Sequence, residues 1–217
     1  MLARQPSLLE VGDEPTVGSL DVAMTRLDLG SGAWLDHRPG WVAGSEALTE
    51  RLVDTVDWRA QRRQMYEREV DVPRLLRFYE QGEELPDPLL ARLKAALDEH
   101  YGGELGEPFA TTGLCLYRDG RDSVAWHGDR IGRGRREDTL VAILSLGAAR
   151  TFALRPRARP RSGNKDGPGR AIRLVLGPGD LVVMGGSCQR TWEHAVPKTA
   201  RPVGPRVSVQ FRPRDVR

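Results

Sequence analysis

From Thr111 onward the sequence is a succession of short apolar runs: "TTGLCLY", "TLVAILSLG", "RTFALRP", "AIRLVLGPGDLVVMGG", "TWEHAVP" and "RVSVQFRP". Each is of strand length, rich in Val, Leu or aromatic residues, and bounded by Gly, Pro or Asp. No helical pattern of about 10–15 residues separates one run from the next, so parallel βαβ units are excluded. Consecutive strands without crossover helices close on one another as an antiparallel sandwich or barrel. This half of the chain dictates the fold, and whatever lies upstream must pack onto it.

Two upstream segments read as helices. In "SEALTERLVDTVDW", Ser45 suits the N-cap, and Leu48, Leu52, Val53 and Val56 share one face. In "DPLLARLKAALDEHYGG", Asp87 is a capping residue and Pro88 fits the first turn. Leu89, Leu90, Leu93 and Leu97 form the stripe, and Gly102 suits the position just past the C-terminus. "AMTRLDLG" and "AWLDHRPGW" are short extended pieces around turns. Helices followed by a β core make one α+β domain over residues 19–217. The polar segment 1–18, with Pro6, Gly12 and Pro15, is expected to fray.

The chain has 217 residues and only two cysteines, Cys115 and Cys188. That excludes a disulfide framework and a zinc–cysteine knuckle, and it suits a reducing compartment. The N-terminus has no apolar signal-peptide core, and no apolar run approaches the roughly 20 residues that span a bilayer. A soluble, cytoplasmic, monomeric protein with no membrane partner is the expectation. Charge is unevenly distributed. Residues 1–117 carry 12 basic and 21 acidic side chains, whereas residues 118–217 carry 21 and 9. A basic half suits a polyanion such as nucleic acid; arginines scattered over solvated faces are the alternative. The long connection "RARPRSGNKDGPGR", within the basic stretch 155–170, is either a phosphate-contacting arm or a solvated hairpin tip.

Chemistry enters at "SVAWHGDRIGRGRRED". His127 and Asp129 are two residues apart, and on a strand i and i+2 face the same way. A third ligand to a shared metal must come from His37, His100 or His194. His194, in "RTWEHAVP" on another expected strand, is the best placed. Two imidazoles and one carboxylate form the facial set of non-haem Fe(II) sites, and zinc hydrolases use the same types. Downstream, "RVSVQFR" places Arg206 and Arg212 on one strand face. Guanidinium forks grip carboxylates in pairs, which a dicarboxylic acid beside a metal requires.

Taken together, "GLCLYRDGRDSVAWHGDR", "LVAILSLGAARTFALRP", "GDLVVMGGSCQRTWEHAVP" and "PRVSVQFRP" fall in an order and spacing that resembles the AlkB family, over roughly residues 27–213. These are Fe(II)- and 2-oxoglutarate-dependent dioxygenases that oxidatively dealkylate nucleic-acid bases. The resemblance implies a double-stranded β-helix, or jelly roll, buttressed by N-terminal helices and covered by a nucleotide-recognition lid. It implies His127, Asp129 and His194 as iron ligands and Arg206 as the partner of the distal carboxylate of 2-oxoglutarate. Tyr117 and Ser208 would line the co-substrate site, with Arg212 in support. Fe(II), 2-oxoglutarate and O2 are the implied cofactors. The implied reaction demethylates N-alkylated bases in DNA, with RNA left open, releasing formaldehyde, succinate and CO2. A base inside a duplex must first be flipped out, at a cost of a few kcal/mol.

"QRRQMYEREVDVPRLLRFYE" would be the lid, with Met65 and Tyr66 as the wedge that fills the vacated stack, or else packed beneath a helix. Arg74 and Arg130 would face the nucleotide. Trp192, two residues before His194, is either a base-stacking wall or a core residue; Trp126 is expected in the core. The sequence departs from the family pattern at three positions. Cys115 and Ser208 stand where amides are usual. Ile131 stands where many members carry an acid that reads the base, leaving Glu137, Asp138 or Glu193 to substitute. Those departures keep two other readings open: a dioxygenase acting on a protein or small molecule, and a non-catalytic nucleic-acid-binding jelly roll.

Overall fold

The computed structural model describes residues 14–65, 68–157 and 171–216. In chain order the first elements are β1 (Thr16–Val17), β2 (Thr25–Gly30), β3 (Ala33–Arg38), β4 (Val42–Ala43) and α1 (Ser45–Thr55). There follow β5 (Arg59–Met65), β6 (Arg68–Tyr79), α2 (Pro88–Leu105), β7 (Thr111–Tyr117) and β8 (Val124–His127). The last are β9 (Val141–Gly147), β10 (Arg150–Pro156), β11 (Ile172–Leu176), β12 (Asp180–Gly186), α3 (Cys188–Thr191), β13 (Trp192–Val196) and β14 (Arg206–Arg212). Eight strands form a large sheet in the order β2-β3-β12-β9-β14-β7-β6-β5, and four form a small one, β11-β10-β13-β8. All the pairings are antiparallel. This is the jelly roll expected from the sequence, with α1 and α2 as its buttress.

Side-chain alternation divides the interior into two cores. Leu114, Leu116, Leu144, Val183, Val207 and Val209 point out of one face of the large sheet and pack with the leucines of α1 and α2. Their immediate neighbours Cys115, Tyr117, Ile143, Val182 and Met184 point the other way, against Phe152, Leu154 and Trp192 of the small sheet. The central strands β7, β9 and β12 are therefore buried on both faces, which explains why they read as nearly unbroken apolar runs.

The start of α1 and the end of α2 depart from the expected signals. Gly44, in the left-handed region at φ 64°, precedes α1, and no side chain caps it. Ser45 is instead the buried first residue of the helix, and its carbonyl accepts a bond from Thr49 Oγ1 at 2.7 Å. Asp87 does cap α2, accepting from Leu89 N at 2.9 Å. The helix then runs through Gly102 to Leu105, and Gly106, at φ 73°, provides the left-handed stop. Residues 16–18, expected to fray, are instead paired: Thr16 and Val17 with Ala43 and Val42, and Gly18 N donates to Trp41 O at 2.7 Å.

A polar cluster ties α2 to the sheet. Arg26 Nε and Nη2 each donate to Asp36 at 2.7 Å, and Tyr101 Oη donates to Asp36 Oδ2 at 2.9 Å. The Trp34 ring stacks on Tyr101 and lies across Gly185, where an added Cβ would meet the indole at 2.0 Å. Gly103, on the exposed side of α2, has nothing within 4 Å. The same substitution should therefore have opposite signs at these two glycines. In urea denaturation, Gly185→Ala is expected to lose about 1–3 kcal/mol through overpacking. Gly103→Ala is expected to gain about 0.5–1 kcal/mol through helix propensity.

Candidate metal centre and a buried arginine

β8 and β13 are neighbours in the small sheet, and their register pairs His127 with His194. The two rings lie 4.2 Å apart, centroid to centroid. The His127 Nδ1 is 2.8 Å from Ala125 O. A carbonyl only accepts, so Nδ1 carries the proton and Nε2 presents its lone pair. That Nε2 faces Asp129 Oδ1 at 3.8 Å.

Asp129 reaches the site by a different route from the one its spacing suggests. β8 ends at His127, so strand alternation does not aim the carboxylate. The chain instead passes close beneath α3, where a Cβ on Gly128 would lie 2.7 Å from Gln189 O. Asp129 N then donates to Gln189 Oε1 at 2.8 Å, and Arg212 Nε donates to Asp129 Oδ2 at 2.9 Å. One donor atom from each of His127, Asp129 and His194 lies within 4.8 Å of the others. His37 and His100 point elsewhere, toward Asp180 and Asp21.

The donor set suits a divalent ion such as Fe(II), and Asp129 and His194 already hold the forms that bind one. Burial would raise Asp129, but Arg212 and the two imidazoles outweigh it and hold the carboxyl well below the usual carboxylate range. Burial, and then the proximity of His127, push His194 down to about 3, so its imidazole is neutral at physiological pH.

Arg206 is 1% exposed. Its Nε donates to Ser145 Oγ at 3.0 Å, while Nη1 is buried without a partner. Among the described residues no carboxylate pairs with it. Arg150 provides the contrast: equally buried, it donates to the carbonyls of Asp119, Asp122 and Pro197. Opposite Arg206 in the ladder stands Tyr117, its ring 5.2 Å from the guanidinium. Burial, with Cys115 adding to it, pushes the Tyr117 phenol up to about 12, so it is a neutral donor. Ser208 is buried opposite Cys115, and Gln210 opposite Gly113. An interior guanidinium with an unused N–H calls for an anion, since an unpaired buried charge costs several kcal/mol.

The residues expected to face substrate divide. Arg74 donates to Ser123 O at 3.3 Å, with its Nε buried and unpartnered, and its charge bears on Tyr117 and His194. Arg130 is half-buried, and its Nε also lacks a partner. Trp192 is 2% exposed within the core between the sheets, a position that fits packing. Trp126, expected in the core, is only half-buried and stacks against Arg155 at 4.4 Å. Met65 closes β5 opposite Arg68; its side chain, Tyr66 and residues 158–170 of the basic connection lie outside the described residues. Ile131 is 66% exposed. The three acids that might have replaced it are engaged: Glu137 with Arg133, Asp138 with Arg190, and Glu193 with Arg155. Two site residues carry no signal in the H-x-D and R-x5-R patterns, Gln189 and Gln210. The second was legible in principle, because it shares the strand face of Arg206 and Arg212.

Residues 55–212 match the family model described as the 2OG-Fe(II) oxygenase superfamily. Over 193 residues the chain is 31% identical to the human "Alpha-ketoglutarate-dependent dioxygenase alkB homolog 3", covering 80% of this chain and 64% of that protein. It is 35% identical over 136 residues to the Arabidopsis thaliana "DNA oxidative demethylase ALKBH2", covering 55% of this chain and 42% of the relative. The chain thus spans less than two thirds of the length of these relatives. The solved structure of OsALKBH1 superposes with a TM-score of 0.54 at 14% identity, covering 87% of this chain and all of that one, which bears out the fold. The chain belongs to the 2OG-Fe(II) oxygenase superfamily and is AlkB-like within it.

Proposed function

We propose that this chain is an Fe(II)- and 2-oxoglutarate-dependent dioxygenase that removes N-methyl groups from bases in DNA, with RNA as a further substrate class. The observation that carries the reading is Arg206, a fully buried cation with an idle N–H on the same strand face as the arginine that holds Asp129. A protein that binds nothing there would gain by replacing it with an apolar residue. A co-substrate with a carboxylate at its far end neutralises it.

In this reading His127, Asp129 and His194 hold the iron. Arg206 and Tyr117 fix the distal carboxylate, and Arg212 keeps Asp129 ionised and oriented. The bound iron supplies the oxygen chemistry that couples decarboxylation of 2-oxoglutarate to hydroxylation of the N-methyl carbon. The hydroxymethyl group then leaves as formaldehyde, so the products are succinate, CO2 and the unmodified base. Three features favour nucleic acid as the substrate: the basic C-terminal half, the unpaired Arg130 Nε beside Asp129, and a relative named "DNA oxidative demethylase". Met65, Tyr66 and the β5–β6 hairpin would form the lid over the base. No helix among the described residues is long and apolar enough to cross a membrane. The free, buried Cys115 and Cys188 suit a reducing cytoplasm. Ile131 favours a second reading, a protein or small-molecule substrate, because it cannot pair with a base's amino group.

Succinate release measured with Fe(II), with and without N-methylated oligonucleotide, separates the readings. Stimulation by the oligonucleotide is expected. Release that no oligonucleotide stimulates would move the substrate to another class, and no release with DNA still bound would leave only a binding module. Arg206→Ala should raise the Kd for 2-oxoglutarate by 30-fold or more, since truncating one partner of a buried charge pair costs about 2–5 kcal/mol. Asp129→Ala should lose both Fe(II) binding in a metal titration and all succinate release, with the fold retained by circular dichroism. Unchanged metal affinity would refute the triad.

A further inference from the structure

The inner face of β14 carries four polar residues in a row, Arg206, Ser208, Gln210 and Arg212. At about 3.3 Å per residue the outer two are roughly 20 Å apart at the backbone, yet their side chains lean inward. Arg206 Nε reaches Ser145, the ladder partner of Ser208, so its guanidinium sits level with Ser208. Arg212 Nη1 lies where a Cβ on Gly113, the ladder partner of Gln210, would be only 2.9 Å away. The two cations converge on the centre of the row. That centre is where a short diacid anchored by Arg206 and directed toward Asp129 must lie.

Gln210 occupies that centre. It is 8% exposed. Its Nε2 donates to Ser208 Oγ at 2.8 Å and Ser208 O at 3.2 Å, and lies 3.5 Å from Cys115 Sγ. Its Oε1 lies 3.6 Å from the same sulfur. An added Cβ on Gly113 would meet that oxygen at 3.0 Å, so the glycine leaves room for the amide. The two positions where resemblance leads one to expect amides, 115 and 208, hold a thiol and a hydroxyl. Both of these are the contacts of Gln210.

We propose that Gln210 is the co-substrate-binding amide of this chain, standing in for the amides absent at 115 and 208. It rests folded over Ser208 and Cys115. When 2-oxoglutarate enters, its N–H turns to the carboxylate nearer the metal, and Ser208 becomes its support. Nε2 has two hydrogens, so one bond to Ser208 survives the turn. The inference rests on the 2-oxoglutarate reading above.

The test is calorimetric titration of 2-oxoglutarate into the full chain loaded with Mn(II), which needs no turnover. Gln210→Leu keeps the volume and removes the amide; it should raise the Kd about tenfold or more, with Mn(II) affinity unchanged. Gln210→Glu places a carboxylate against the incoming one and should raise it further, by over a hundredfold. Ser208→Ala removes the hydroxyl that supports the amide but leaves the Ser208 carbonyl as an acceptor, and should change the Kd less than Gln210→Leu. Wild-type affinity in Gln210→Leu, or a larger loss in Ser208→Ala than in Gln210→Leu, overturns the proposal. A wild-type protein that binds Mn(II) but not 2-oxoglutarate fails the underlying reading instead. Gln210→Asn provides a check independent of folding: the shorter amide should recover part of the affinity that leucine loses, and no recovery in a folded variant counts against the assignment.

Discussion

The polar row between the sheets depends on the register of one strand buried on both faces. Val207, Val209 and Phe211 of β14 pack toward the helices, and Arg206, Ser208, Gln210 and Arg212 point between the sheets. A slip of one residue would exchange these sets, burying guanidinium groups against leucines. β7 and β9 prevent it by flanking β14 on both sides, with Arg206 paired to Tyr117 on one side and to Gly147 on the other. The apolar half of the strand fixes the position of the polar half. The buried polar row is therefore located by hydrophobic packing on the opposite face of the same backbone.

The metal ligands are held differently. β8 has four residues and pairs only with β13, at the edge of the small sheet. Beyond it, Asp129 depends on two side-chain contacts from distant elements, the Gln189 amide in α3 and the Arg212 guanidinium in β14. Those contacts draw both sheets and the short helix into the position of a single carboxylate. His194 is held by the β10–β13 ladder, where it pairs with Leu154, and the ring of Phe152 lies 5.5 Å away. One ligand is set by secondary structure and another by tertiary contact, so they answer to different kinds of mutation.

What could be read from the sequence was whatever depends on local periodicity. The apolar runs announced the antiparallel core, the α2 leucines their stripe, and the spacing of Arg206 and Arg212 their common face. His194 was found by elimination among four histidines. The misreadings arise where tertiary contact decides. Ser45 looked like a cap but was drawn into the core, leaving Gly44 to turn the chain. Gly102 looked like a stop, yet the helix continues to Gly106. The i, i+2 argument named a residue that does converge with the two histidines, but through a different geometry, because the strand ends two residues early. Gln189 was invisible because its role is a contact across 60 residues of chain. Trp126 was assigned by alternation to a core that does not extend behind an edge strand.

Arg206 sets stability and use against each other. In the empty protein it is a desolvated charge with a donor left over, and a neutral methionine or leucine would sit there more comfortably. A directed-evolution campaign scored on melting temperature alone would discard it early and return a well-packed jelly roll without the anchor proposed above for a keto-diacid. Under that proposal, thermal screens on this scaffold need the co-substrate present during selection.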